Sequence, residues 1–171
     1  MSESPPPVEA ILAVREHREQ LVPALIETLN QTTAAALAGE LTEGNLAFYA
    51  FFLLTELRAT EALPAILKMI SLPDLMPDEL LGDVIHEVLP RTLATLAGDH
   101  PEVMDGLIRN EEVYEYVRWA AAESFMYLLR DGRMTRDEVL SRLQMHLHEA
   151  IDRNDEVIGT ALVTTLDLLA P

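Results

Sequence analysis

The side chains best suited to chemistry near neutral pH are the five histidines, because imidazole is the one unperturbed side chain that changes charge between pH 5 and 8. Two of them are followed directly by glutamate, as His86-Glu87 and His148-Glu149. An imidazole beside a carboxylate could ligate a divalent metal or act as a general base pair. Asp83 precedes His86 and Glu87 by three and four residues, which puts all three on one face of a helix, with Gly82 next to them where a ligand could approach the backbone or another helix could pack closely. Ordinary surface pairing competes with both readings. His146 can stack over Arg142, and Glu149 can pair with Arg153, at one-turn spacing. No nucleophile or set of oxyanion donors stands at a recognisable spacing. The absence of cysteine excludes a disulfide framework, a thiol nucleophile and thiolate metal ligands. Surface pairing is therefore the preferred reading and no cofactor is expected; a metal-dependent oxygenase or hydrolase built on Asp83, His86, Glu87, His148 and Glu149 is the rival.

Charge narrows the partners. Twelve basic residues against 29 acidic ones give a net charge of −17, so phosphate backbones and anionic lipid surfaces are repelled. Neither nucleic acid nor membrane is an expected partner. The start of the chain, Met1-Ser2-Glu3-Ser4 before Pro5-Pro6-Pro7, lacks the basic and apolar blocks of a signal peptide. The longest uninterrupted apolar run, Leu46 to Leu54, is about half of what a membrane helix needs. A soluble cytoplasmic protein is the expectation.

The elements that carry these residues read as helices throughout. At 171 residues and 49% hydrophobic content the chain has enough material for one domain with a core, and low glycine and aromatic content favours an all-α fold. The segment Glu115 to Arg130 is the organising element: Val117, Ala120, Ala121, Ser124, Phe125 and Leu128 form one apolar stripe at helical spacing. A helix of the same kind begins forty residues later, around Val157. The phrase around Leu21-Val22-Pro23-Ala24 also returns 41 residues on, as Leu63-Pro64-Ala65-Ile66, and a period near forty is that of stacked helical pairs.

In chain order, Pro5-Pro6-Pro7 reads as an extended tail and Val8 to His17 as a short helix, with a second helix following at once. Pro23 and Pro64 are expected in first turns, where a missing amide hydrogen costs little. Thr32 to Leu41 reads as a weak, alanine-rich irregular helix or linker closed by Gly39 and Gly44. Asn45 is placed to cap a helix that includes Phe48, Phe51 and Phe52; being apolar on every side, it is expected at the centre of the molecule. Asp78 is expected to cap a long helix to Ala97 that kinks at Pro90 or divides near Val88. After a short helix from Pro101 to Asn110 and the organising segment, Thr135 caps a helix to about Arg153, with Glu138 completing a capping box. A last helix runs from Asp155 to Leu169. The order is four helical pairs and an unpaired fifth first helix.

Val117-Arg118-Trp119-Ala120-Ala121 resembles the phrase that opens first helices in HEAT-type repeats. Through Leu80-Leu81-Gly82-Asp83, Leu89-Pro90-Arg91 and Tyr116 to Ala121, most of the chain is similar to a bacterial family of unknown function whose members often continue into a cysteine-rich SEC-C zinc motif, absent from this cysteine-free chain. The resemblance implies a short right-handed α-solenoid over residues 1–171, with 1–7 as a mobile tail, and brings no activity with it. The two His-Glu pairs also resemble those with which HEAT-fold deoxyhypusine hydroxylases hold two irons. There the pairs occupy matched first helices; here one falls in a first helix and one late in a second.

A binding module is the function class that remains. Tyr116, Trp119, Glu123 and Met126 fall on a line opposite the apolar stripe, as a ridge another protein could grip. The last helix is apolar on more than one side, so Leu162 and Leu166 are expected at an open end that supports a homodimer or awaits a further segment. The expected partner is a protein offering basic or apolar segments.

Overall fold

A computed structural model describes residues 16–40 and 46–169, and every regular element among them is helical. The helices are α1 (Arg18–Leu37), α2 (Leu46–Glu56), α3 (Leu63–Ile70), α4 (Met76–Leu81), α5 (Val84–Glu87), α6 (Leu89–Ala97), α7 (Glu102–Arg109), α8 (Glu115–Arg130), α9 (Arg136–Arg153) and α10 (Glu156–Asp167), with a 3-10 turn at Thr60–Ala62. No described helix is long and apolar enough to cross a membrane. The expected helix from Val8, the Pro5 to Pro7 tail and the Asn45 cap fall largely or wholly outside the described residues.

Local chemistry sets these boundaries and corrects several expectations. The stretch from Thr32, expected as an irregular helix or linker, is as far as Leu37 the regular C-terminal end of α1. Alanine is the strongest helix former, and the hydroxyls of Thr28, Thr32 and Thr33 each donate to the carbonyl four residues back. The helix then stops in a Schellman arrangement: Gly39, at φ 73°, donates to Ala36 and Glu40 donates to Ala35. Pro23 lies in the second turn of α1 and not the first, whereas the prolines at 64, 77 and 90 do occupy first turns. The long helix after Met76 divides at Val88, ahead of Pro90, and breaks a second time at Gly82. Gly82 adopts φ 50° and ψ −128°, a conformation open to glycine and strained for other residues. A Cβ there would meet only the Asp78 carbonyl oxygen at 3.9 Å, so backbone conformation, and not close helix packing, accounts for this glycine. Asp78 sits in the first turn of α4 and not at its cap, where it still complements the helix dipole. The Thr135–Glu138 capping box is complete.

Packing centres on α8, which contacts α5, α6, α7, α9 and α10. Its stripe of Val117, Ala120, Ala121, Ser124, Phe125 and Leu128 is buried, together with Ala122. Small side chains on several sides let neighbouring backbones come close. Substituting Ala121 by leucine is expected to destabilise by about 1–3 kcal/mol, since the larger side chain must be forced into a fully enclosed position. Denaturant midpoints check this; no shift would mean that the face assigned to Ala121 is wrong.

One buried cation ties three elements together. Arg118 donates through Nε and Nη2 to the Ile108 carbonyl at the end of α7, at 3.0 and 2.8 Å, and through Nη2 to Asp155 at 2.5 Å. Asp155 is the N-cap of α10, where its other oxygen accepts the amide of Ile158.

Two apolar helices sit differently from expectation. α2 is not enclosed: Ala47, Ala50, Phe51 and Leu54 are buried, but Leu46, Phe48, Tyr49 and Phe52 are exposed. In α10, Leu162 is part of the core and Leu166 is partly buried against it. Leu162 is therefore not available at an open end. The apolar residues turned outward at this end are Ile151 on α9, Val163 on α10 and Leu168 just after it.

Candidate functional site

The ridge expected on α8 is held by aromatic contacts. His86, on the single turn of α5, meets the Tyr116 ring edge-on at 4.8 Å. Tyr114 meets the same ring edge-on at 5.4 Å, and Tyr116 and Trp119 stack at 6.3 Å with 26° between their planes. The Trp119 indole N–H donates to Glu123 at 3.0 Å, which fixes the ring's orientation. Tyr114, Tyr116, Trp119, Glu123 and Met126 are all half-buried. Each keeps one side packed and one side open, the arrangement in which an aromatic residue offers contact area at little cost in conformational freedom. Asp83, Glu87 and Glu115 are exposed nearby.

Tyr114 continues the ridge into a depression of about 730 Å³ between the Pro73–Leu75 turn and the segment leading into α8. Asp74, Glu111, Glu112 and Glu115 line it, and the buried Arg118 is part of its wall, already bonded to Ile108 and Asp155. Burial, followed by the charges of Asp78, Tyr116 and Glu115, raises the Tyr114 phenol above its ordinary value. The field at this end of the ridge is negative.

The single tryptophan gives a direct optical test. Trp119 fluorescence is expected to be partly quenched by acrylamide in the native state, to a degree between that of the buried and the unfolded chain. Full protection would place the indole in the interior and remove it from the surface.

The metal-ligating readings fare differently. Asp83, His86 and Glu87 stand together, all exposed, with Asp83 at the N-cap of α5. His148 and Glu149 are on α9, whereas α5 packs on α4, α6 and α8, so the two His-Glu pairs are not brought into one site. His148 is exposed, while Glu149 is engaged by Arg109 through two bonds of 2.8 and 3.0 Å. Arg153 also reaches Glu149, at 3.8 Å. Among the described residues no three His, Asp or Glu side chains are disposed to hold a metal ion.

His146 is the residue that sequence reasoning misplaced. It is fully buried at the seam between α7 and α9, and not stacked on the helix surface over Arg142. Its Nε2 lies 2.8 Å from Asp105, and its Nδ1 lies 3.4 Å from Glu149 without a hydrogen bond. Arg142 also donates to Asp105. Burial pushes the Asp105 carboxyl up, but the hydrogen bond from His146 and the charges of Arg142 and His146 outweigh it and hold the group below its usual range. The hydrogen bond from Arg109 likewise lowers Glu149. A groove of about 960 Å³ opens beside this network, and Arg133 crosses it to the Ala94 carbonyl and Asp99. The imidazole itself has no solvent contact, so it cannot meet a substrate; its work is to join α7 to α9. The signal that could have found it is the forty-residue spacing of similar phrases in the sequence, since Asp105 and His146 are 41 residues apart and Arg109 and Glu149 are 40.

The profile of a family described as "Protein of unknown function (DUF1186)" matches residues 3–171. The chain belongs to that family. A Chlamydia trachomatis serovar D protein described as "Uncharacterized protein" is 29% identical over 168 residues, which is 96% of this chain and 66% of that protein. A Chlamydia muridarum protein of the same description shows the same identity and coverage. The chain thus spans 66% of the length of these curated relatives. No solved structure matches it.

Proposed function

We propose that the protein is a non-catalytic binding module, a short right-handed solenoid of HEAT-like helical pairs that engages a partner protein through the surface formed by α5 and the start of α8. Two sets of observations support the repeat reading. The first-type helices α6, α8 and α10 pack in succession, as do α7 and α9 beside them. Polar contacts between helices also recur near one period: Thr55 with Thr92, Asp105 with Arg142, and Arg118 with Asp155 are each 37 residues apart. In stacked repeats each unit meets chiefly its neighbours, which produces such a spacing.

The observation that carries the binding reading is the half-open cluster of Tyr114, Tyr116 and Trp119, in a chain whose aromatic content is 5%. Large rings held by packing and by the Trp119–Glu123 bond, surrounded by carboxylates, have the composition of an interface centre with a polar rim. The chemistry expected of a partner is a basic or apolar segment, because the net charge of −17 opposes an acidic one. A cytoplasmic setting belongs to the same proposal.

The test is quantitative capture from cells of the native host, comparing the wild-type protein with a Tyr116→Ala/Trp119→Ala variant of matched helical content. A protein retained by the first and lost, by more than about tenfold, from the second is expected, as truncation of two central aromatic side chains costs more than 1.4 kcal/mol. Equal recovery by both would remove the ridge as the binding surface.

A further inference from the structure

The aromatic ridge and the acid-lined depression are one surface, joined at Tyr114. That residue lines the depression and meets the Tyr116 ring, which in turn stacks with Trp119. Four carboxylates border the depression: Asp74, Glu111, Glu112 and Glu115. Among the described residues, Glu111 is the one of these four with an ion-pair partner, Arg153 at 3.5 Å. The guanidinium of Arg118 does not offset the others, because it is buried and its charge is matched by Asp155. The backbone on both sides is also held in place. Asp74 holds φ 55° at the turn before α4, and the Asn110 side chain accepts the Glu112 amide and fixes the opposite lip.

Resting on the binding-module reading above, we infer that this surface takes an arginine-bearing basic segment of a partner protein: one guanidinium enters the depression among Asp74, Glu112 and Glu115, and a neighbouring cationic or apolar side chain lies across Tyr116 and Trp119. Arginine fits better than lysine for two reasons. Its planar fork can bond two carboxylates at once, and its weakly hydrated face stacks on aromatic rings. A depression of about 730 Å³ has room for the whole side chain and the adjoining backbone. Charge complementarity with a chain of net charge −17 brings such a segment in quickly, and the rings hold it after arrival.

The experiment uses the whole chain and synthetic peptides, with Trp119 fluorescence as the readout at about physiological ionic strength. The peptides share an apolar framework and carry arginine, lysine or glutamine at the same positions. Two double variants each remove two negative charges: Glu112→Gln/Glu115→Gln within the depression and Asp137→Asn/Asp152→Asn on α9. The arginine peptide is expected to bind and to change Trp119 emission, the lysine peptide to bind more weakly, and the glutamine peptide not to bind. The first double variant should weaken the arginine peptide roughly tenfold and the second less than about twofold. Equal weakening by the two variants would mean that the peptide merely samples an acidic protein, and would overturn the inference. So would the absence of peptide binding in a protein whose cellular partner is still lost on Tyr116→Ala/Trp119→Ala substitution, a result that leaves the binding-module reading standing. Failure of both experiments would remove the two together.

Discussion

Substituting Arg118 by alanine is expected to destabilise the protein by about 3–5 kcal/mol, the largest effect of any single polar change in the chain. The side chain is 6% exposed, so removing it strands Asp155 and the Ile108 carbonyl in a setting that water does not reach freely. The damage is also distributed, because Asp155 caps α10 and Ile108 closes the last turn of α7. Arg118→Lys should recover only part of the loss: an ammonium is a point charge and cannot reproduce the forked bonds to Ile108 and Asp155. Helical circular dichroism against denaturant measures both variants. A loss below about 1 kcal/mol for the alanine variant would mean that the three elements are held by apolar packing alone. Since native domains are stable by only about 5–15 kcal/mol, this loss is a large fraction of the total.

The second large effect is expected at Asp105. Its two oxygens are shared between His146 and Arg142, so Asp105→Ala leaves a buried imidazole without its partner and should destabilise by about 2–3 kcal/mol. Arg142 is about one-third exposed and can turn toward water, which keeps the value at the lower end. Replacing both Asp105 and His146 by leucine should cost less than Asp105→Ala alone, since it removes the polar groups together. The pH dependence has a definite sign. Asp105 and Glu149 are held below their ordinary values in the folded state, so their contribution is complete above those values and is lost as pH falls through the lowered ones. The stability difference between the wild-type protein and Asp105→Asn should therefore shrink as pH drops below about 4. A difference that stays constant from pH 7 to pH 3 would show that the carboxylate charge contributes nothing at this seam.

What could be read from the sequence divides along a physical line. Features set by local chemistry were legible: the stripe of α8 and its ends, the division before Pro90, and the Thr135–Glu138 box all depend on residues within one or two turns. Features set by tertiary context were not. Intrinsic propensity marked the threonines of α1 as weak, but their hydroxyls satisfy themselves on the preceding turn and the helix continues. Composition placed α2 at the centre, yet its aromatic side is exposed, because a count of apolar residues does not specify which neighbours exist. His146 read as a surface residue since its partner, Asp105, is 41 residues away and on another helix. The ridge itself was legible from helical geometry, whereas its continuation into the depression through Tyr114 needed the fold. The period near forty was the one long-range feature visible in advance, and it is the spacing at which Arg118, Asp105 and Arg109 find their partners.

The claim that this is a partner-binding protein using the α5–α8 surface is tested most directly by site-specific photo-crosslinking in cells of the native host. A photoreactive aromatic residue placed at Glu87 or Met126 would report on the ridge; the same residue at Ser141 would report on the groove beside α9. Covalent adducts with a defined protein are expected from the first two positions, and these should be abolished when Trp119 is also changed to alanine. Adducts formed only from Ser141, or from all three positions regardless of Trp119, would contradict the assignment.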